Sequence, residues 1–370
     1  MFKVKKSLAV IIVAVSLVLL VAVGSQAKQK PILLRMAYPS ADRGLVPELI
    51  KWWGQEVERK TEGKIKVDYY WGGLLGKSKE LLYSIKNGTA DVGTIFPMYF
   101  SAELPLMTMN TCIISTHVND PVATSRALNQ VVIENPIIAS EWEKYNQKLL
   151  LAYEAGPYVW VSKSPIRKLA DLKNMKIGPW GGKGPRALIK QMGSVPITVP
   201  SVEVYDALNK GMLNGRAEQP NMIITYKHYE ICKYVTDVGN GTTAPPVYGM
   251  SINLDKWNSI PEDLQKVVLE VNKDFWKVFG DKTRGGIVEQ MNFLKEKGVE
   301  FIKFSDRDRK TISELPVYPE FKQEFRTRCE KAKIDPEKIW GRYFELLKAY
   351  GQEESSMKFE KKWKGFFARN

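Results

Sequence analysis

The chain has 370 residues, 44% of them hydrophobic, with three cysteines, two histidines and a formal net charge of +14. That length exceeds one ordinary domain, so two lobes are expected, and three cysteines are too few for a disulfide framework. The basic residues are interspersed with acids, and no zinc-finger spacing or RNA-binding aromatic motif is present. The excess charge therefore reads as a solvated basic surface that steers an anionic ligand or an acidic partner, not as a nucleic-acid site.

Lys3, Lys5 and Lys6 open the chain, residues 8–23 are an apolar run broken only by Ser16, and Gly24-Ser25-Gln26-Ala27 places small residues at signal-peptidase spacing. This predicts a signal peptide over 1–27, cleavage after Ala27 and a periplasmic mature protein. An apolar run of about 16 residues is short of the roughly 20 that span a bilayer, which argues against a retained anchor. No cysteine stands near the cleavage site to carry a lipid. Losing the three lysines takes the net charge from +14 to +11. Cys112, Cys232 and Cys329 read as buried thiols; an oxidising compartment permits one bridge, whose pair the sequence does not select.

Residues 33–38 read as a first strand and 39–44 as a loop. Leu45, Val46, Leu49, Ile50, Trp53 and Val57 recur at helical spacing, and Gly63 ends that helix. Ile65, Val67, Tyr69 and Trp71 alternate as in a half-buried strand until Gly72-Gly73. Residues 77–86 return to helix, Asn87-Gly88 stops it, and 90–96 form a short buried strand. Further along, 158–161, 176–177 and 197–199 read as strands, and 185–192 and 202–210 as helices. Strands alternating with helices indicate an α/β architecture.

The segment 261–297 is different in scale. Ser259 and Glu262 have capping-box spacing, and Leu264, Val268, Val271, Phe275 and Val278, then Ile287, Met291 and Leu294, follow at steps of three and four. One helix would be about 55 Å long, enough to cross both lobes; Gly285-Gly286 leaves open a kink or a split into two helices. The expected division is lobe I over 32–153 and 245–280, lobe II over 154–244 and 281–350, and a charged tail over 351–370. In that tail Trp363, Phe366 and Phe367 are able to dock on a lobe.

Catalytic chemistry is missing. His117 and His228 lie far apart without ligand-spaced carboxylate or cysteine partners, which argues against a zinc site or a His-dependent triad. Gly76-Lys77-Ser78 resembles the end of a phosphate loop, but the glycine required five residues earlier is Trp71. Trp180-Gly181-Gly182-Lys183-Gly184 lacks a dinucleotide fingerprint and reads as a turn that brings backbone close to a ligand or to the other lobe. No catalytic residue, metal or cofactor is expected.

Several motifs occur together in one order: Leu74-Leu75-Gly76 and a helix into Asn87-Gly88-Thr89-Ala90-Asp91-Val92-Gly93; Ser164-Pro165-Ile166 with Leu169-Ala170-Asp171-Leu172-Lys173-Asn174-Met175-Lys176-Ile177; Val199-Pro200-Ser201-Val202-Glu203-Val204-Tyr205-Asp206-Ala207-Leu208 with Gly211 and Asn214-Gly215; and Asn253-Leu254-Asp255-Lys256-Trp257 with Ile260-Pro261-Glu262-Asp263-Leu264-Gln265. In this order the chain resembles the DctP-type substrate-binding proteins of TRAP (tripartite ATP-independent periplasmic) transporters over residues 33–350. The resemblance implies a two-lobe periplasmic-binding-protein fold with a long lobe-spanning helix. It also implies a small organic solute bound between the lobes, TRAP membrane subunits as partners, a monomer, and no enzyme activity. An orphan binding protein serving a sensor or another transporter is the alternative, and a periplasmic enzyme the remotest reading.

The chain departs from the family pattern where ligand is held. Members usually carry an arginine directly after the Lys-Ile of the second-lobe strand, paired bidentately with a substrate carboxylate; here that position is Gly178. A second frequent arginine appears as Tyr158, and an asparagine before proline as Gln219 before Pro220. Two readings follow. Another arginine takes over, with Arg186, Arg216 and Arg43 as candidates, or aromatic stacking and amide hydrogen bonds hold the solute. The expected ligand-binding set is Tyr38, Trp71, Tyr158, Trp180, Arg186, Glu218, Gln219, Asn221, Tyr226 and Tyr248. Trp180 is favoured for its Gly-Pro-rich turn, and Glu218 is a possible holder of a bridging cation.

Overall fold

The computed structural model describes residues 30–107, 109, 120–154, 156–179, 183–239 and 247–368. The predicted signal peptide, Cys112, His117 and Trp180 lie outside the described residues. Strands β1 (Ile32–Ala37), β2 (Ile65–Tyr70), β3 (Val92–Ile95) and β4 (Gln147–Glu154) belong to one sheet. Strands β5 (Val159–Ser162), β6 (Lys176–Gly178), β7 (Val195–Pro196), β8 (Gly215–Glu218) and β9 (Tyr234–Asp237) belong to a second. The chain then returns to the first sheet with β10 (Val247–Asn253) and to the second with β11 (Glu300–Lys303). The strand orders are β2-β1-β3-β10-β4 and β11-β9-β5-β8-β6-β7. Each sheet is the centre of one lobe.

In lobe I, α1 (Leu45–Lys60) follows β1, α2 (Leu81–Lys86) precedes β3, and α3 (Pro121–Glu134) and α4 (Pro136–Glu143) precede β4. In lobe II, α5 (Lys183–Gln191) joins β6 to β7, and α6 (Val204–Asn209) and α7 (Pro220–Thr225) flank β8. After β10 come α8 (Leu254–Ser259) and α9 (Glu262–Glu296); after β11 come α10 (Asp306–Ser313), α11 (Val317–Lys331), α12 (Pro336–Gly351) and α13 (Glu354–Phe366). The periodic stripe of α1 is buried as its spacing predicts, and Trp53 Nε1 donates to Asn272 Oδ1 at 2.8 Å, tying α1 to α9. The strand expected at 197–199 lies at Val195–Pro196 instead. Pro196 and Pro200 offer no N–H, so the ladder there stays short.

Helix α9 is continuous over 35 residues, about 52 Å at 1.5 Å per residue. Gly285-Gly286 neither kinks it into two elements nor ends it. Leu264, Val268, Val271, Phe275 and Phe279 enter the core of lobe I, and Ile287, Met291 and Leu294 enter that of lobe II. Phe279, not the expected Val278, is the buried member of its turn. The capping box is absent: Pro261 is the N-cap, and Ser259 Oγ donates to Lys256 O.

The C-terminal third departs from the expected division. Ile339, Trp340, Tyr343, Leu346 and Leu347 of α12 pack with Ala127, Leu128, Val131 and Val132 of α3, in lobe I and not lobe II. The charged tail is helix α13, whose Phe359 and Trp363, with Phe367 just beyond it, dock into the lobe II core beside Ile287 and Met291. Between the two helices, Glu353 pairs with Arg126 at 2.7 Å, and that guanidinium lies 3.9 Å from the Tyr350 ring centroid. Cys232 and Cys329 are buried in separate cores, and burial pushes the Cys232 thiol up to about 12.

A Cβ at Gly285 meets nothing within 4 Å. Gly285→Ala should therefore stabilise the protein by about 0.5–1 kcal/mol through helix propensity alone. Urea unfolding checks this: a neutral or destabilising result would show that the helix bends at this glycine in solution.

Candidate functional site

A cavity of about 270 Å³ lies between the lobes and draws its walls from both. It sits at the carboxyl ends of strands, where α/β proteins bind ligands because loops and helix N-termini converge there. From lobe I, Tyr38 follows β1, Phe96 follows β3, and Tyr248 stands on β10. Tyr248 stacks on Tyr153 with centroids 5.5 Å apart, and Phe96 lies over Tyr248 at 4.9 Å. This packing fixes the ring positions. Burial drives the Tyr38 and Tyr158 phenols well above the usual tyrosine value, so both remain neutral hydroxyls. The N-terminus of α1 also faces the cavity: Gly44 caps it without a side-chain acceptor, and a Cβ there would lie 3.8 Å from Asn221 Nδ2 of lobe II.

The opposite wall is built on β8. Residues two apart on a strand share a face, so Arg216 and Glu218 project together. Strand β6 pairs in parallel with β8, and Gly178 stands opposite Arg216. A Cβ at Gly178 would lie 3.3 Å from Arg216 Cγ and 3.6 Å from its Cβ. The arginine stem occupies the space that the glycine leaves. Arg216 Nη2 donates to Ser201 Oγ at 3.2 Å and Nη1 to the Val199 carbonyl at 3.5 Å. Its Nε lies 3.3 Å from Glu218 Oε2. The other Glu218 oxygen accepts from His228 Nδ1 at 2.6 Å, which puts the imidazole proton on that nitrogen. His228 stacks on Tyr226 at 5.8 Å and 17°. Arg43 of lobe I reaches across to the same Tyr226, 5.6 Å from its ring centroid, a cation–π contact between the lobes.

The profile of DctP, bacterial extracellular solute-binding protein family 7, matches residues 39–324. The chain belongs to this family. It is 27% identical over 302 residues to the uncharacterized protein YiiZ of Salmonella typhimurium, an alignment covering 77% of this chain and 86% of that one. Among solved structures it resembles a TRAP periplasmic solute-binding protein from Desulfovibrio salexigens, an open complex with the C-terminus of a symmetry mate in its ligand-binding site. The TM-score is 0.78 at 23% identity, over 88% of this chain and 97% of that one. A second, from Bordetella bronchiseptica with bound (R)- and (S)-mandelate, gives a TM-score of 0.75 at 18% identity, over 86% and 99%. These likenesses show that the family 7 protein has the TRAP solute-binding fold, long helix included.

In this family 7 protein seven of the ten expected positions come together on the cavity wall: Tyr38, Tyr158, Glu218, Gln219, Asn221, Tyr226 and Tyr248. Trp71 stands behind them, edge-on to Tyr38 at 6.2 Å and stacked on Tyr69 at 5.5 Å. Arg186 is on α5, turned aside to Thr198 Oγ1 and off the cavity wall. Arg216 and Arg43, the other two arginines considered, do line it. The Glu218 oxygens face Arg216 and His228, and no group of three or more metal-ligating side chains occurs among the described residues. Phe96, Tyr99 and Ser201 line the cavity and escaped sequence reasoning. The available signal for Phe96 was its place just past the carboxyl end of a buried strand.

Gly178→Val should cost roughly 1–3 kcal/mol by overpacking against Arg216. In an Arg216→Ala background the same change should cost measurably less, because the arginine stem is gone and the remaining close neighbour is Leu213 Cδ1 at 3.4 Å. A double-mutant cycle by chemical denaturation measures the coupling, and additive effects would disprove the steric relation.

Proposed function

We propose that the protein captures a small organic acid between its lobes and delivers it to the membrane subunits of a TRAP transporter. One observation carries the reading: at Gly178, where the family pattern has an arginine, the Arg216 side chain fills the vacated space on the wall of a cavity shared by both lobes. A guanidinium fork suits a carboxylate, and the mandelate held by the Bordetella relative is a carboxylate. The acid end of the solute lies at Arg216, with Arg43 approaching from lobe I. Its remainder lies among Tyr38, Tyr158, Tyr226 and Tyr248, within reach of the Gln219 and Asn221 amides. Because the two arginines belong to different lobes, a bound anion attracts both and favours the closed form, the differential contact that closure requires. Glu218 is engaged with Arg216 on one oxygen and with His228 on the other, not poised for turnover, and the solute leaves unchanged.

Mass spectrometry of ligand released from the purified protein identifies the solute, and thermal-shift screening of carboxylates tests the class. A ligand at 100 times its Kd adds about 2.7 kcal/mol of apparent stability. Arg216→Gln should weaken binding at least about tenfold, in line with roughly 1.5–3 kcal/mol for a hydrogen bond to a charged group. Uptake into proteoliposomes carrying the membrane subunits should fall in parallel. Unchanged affinity in Arg216→Gln would sink the reading.

The predicted signal peptide supports a periplasmic site of action. Intact-mass analysis of protein recovered from the periplasm should find Lys28 at the N-terminus. Residues 1–27 still attached to membrane-bound protein would instead show an anchor.

A further inference from the structure

We infer that Glu218 sets the charge of the site so that it takes monocarboxylates and rejects solutes with a second carboxylate; this rests on the organic-acid reading above. Among the described residues the charged side chains on the cavity wall are Arg43, Arg216 and Glu218. The stretches 110–119, 155, 180–182 and 240–246 contain no lysine, arginine, aspartate or glutamate. Two guanidinium groups against one carboxylate leave one net positive charge, which one ligand carboxylate neutralises.

The geometry makes that count local. Arg216 Nε is buried and faces Glu218 Oε2 at 3.3 Å, so the guanidinium offers a ligand only its Nη side. Glu218 is only 4% exposed and cannot swing into bulk water to escape a second anion. Its far oxygen is taken by His228 Nδ1. Arg43 is exposed and lies over Tyr226, at the water-facing side, where its field is screened. A dicarboxylate with one end on Arg216 therefore brings its other end towards the buried Glu218 carboxylate, which repels it, while the other cation on the wall, Arg43, is exposed and offsets that repulsion only weakly. The phenols of Tyr38 and Tyr158 are held neutral by burial. They offer hydroxyls and ring faces to an uncharged remainder, not a cation to a second carboxylate.

The test uses the mature full chain and isothermal titration at pH 8, where every probe carboxylate is ionised. The probes are matched pairs: benzoate and phthalate, lactate and malate, butyrate and succinate. In every pair that binds, the monocarboxylate should bind at least about tenfold more tightly, and Glu218→Gln should shrink the gap to about threefold or less by strengthening the dicarboxylate. Glu218→Ala, which removes the same charge without adding a new group to the wall, should shrink it too and decides the matter if Glu218→Gln does not fold. Equal or tighter dicarboxylate binding by the wild type overturns the inference and leaves organic-acid capture standing. So does a gap that survives in either folded variant, since shape would then be the cause. If no carboxylate binds at all, organic-acid capture fails and the selectivity falls with it.

Discussion

A single apolar stripe on α9 serves two hydrophobic cores, and the relation between the lobes depends on it. Leu264, Val268, Val271, Phe275 and Phe279 are locked into lobe I, and Ile287, Met291 and Leu294 into lobe II. Each such side chain contributes roughly 1.5–3 kcal/mol when fully buried, so neither lobe can release its half of the helix. Between Phe279 and Ile287 the stripe is interrupted by Gly280, Gly285 and Gly286, and polar links take over. Arg284 reaches Asp120 at 2.6 Å, and Lys282 reaches Glu48 at 3.2 Å. Asp120 also accepts from Val122 N to cap α3. The lobes are thus joined by a stiff rod gripped at both ends and held at its middle by ion pairs, which re-form more readily than a packed core does. The α12–α13 pair repeats the scheme, with one helix on each lobe and the Arg126–Glu353 pair between them.

The rod sets the lobes so that the carboxyl ends of β1 and β3 face those of β6 and β8, and the cavity follows. Its chemistry is a compromise between holding a charge ready and keeping that charge stable in the empty cleft. A guanidinium with 7% exposure is costly unless paired. Glu218 lies two residues along the same strand, hence on the same face, and meets that need at 3.3 Å. His228 completes the carboxylate's partners from behind and, through its stack on Tyr226, links the buried charges to the ring that Arg43 covers from the other lobe.

Elements with strong periodicity were legible from the sequence: α1, β2 and above all α9 follow stripes visible residue by residue. Strands β8 and β9 were not. Gly215-Arg216-Ala217-Glu218 has no apolar alternation, because its inward face carries the charges of the site and not a core. Helix α12 was placed with the wrong lobe because amphipathicity reports that a face is buried, not against which partner. Helix α13 looked like a charged tail because its lysines outnumber the few aromatics that anchor it. For the cavity, Tyr158 and Gln219 were legible as positions where the family pattern carries ligand-holding residues, and Asn221 as the neighbouring amide. Trp71 and Arg186 were not separable from true wall residues, since stacking on Tyr69 and bonding to Thr198 are tertiary facts.

Gly178 shows why a motif read along one strand misleads. In sequence it looks like the loss of an arginine. In the sheet, register sets Gly178 beside Arg216, so the group that disappears from β6 has a counterpart on the neighbouring strand. The two positions are sterically coupled: a Cβ at 178 would sit 3.3 Å from the arginine stem and 3.4 Å from Leu213 Cδ1, tight enough that the neighbours must shift. The displacement also changes the surroundings of the charge. An arginine on β6 would lie one strand away from Glu218, whereas on β8 it shares a face with it and pairs with it at 3.3 Å. Moving the cation by one strand therefore keeps a guanidinium at the cleft while placing a carboxylate beside it on the same strand.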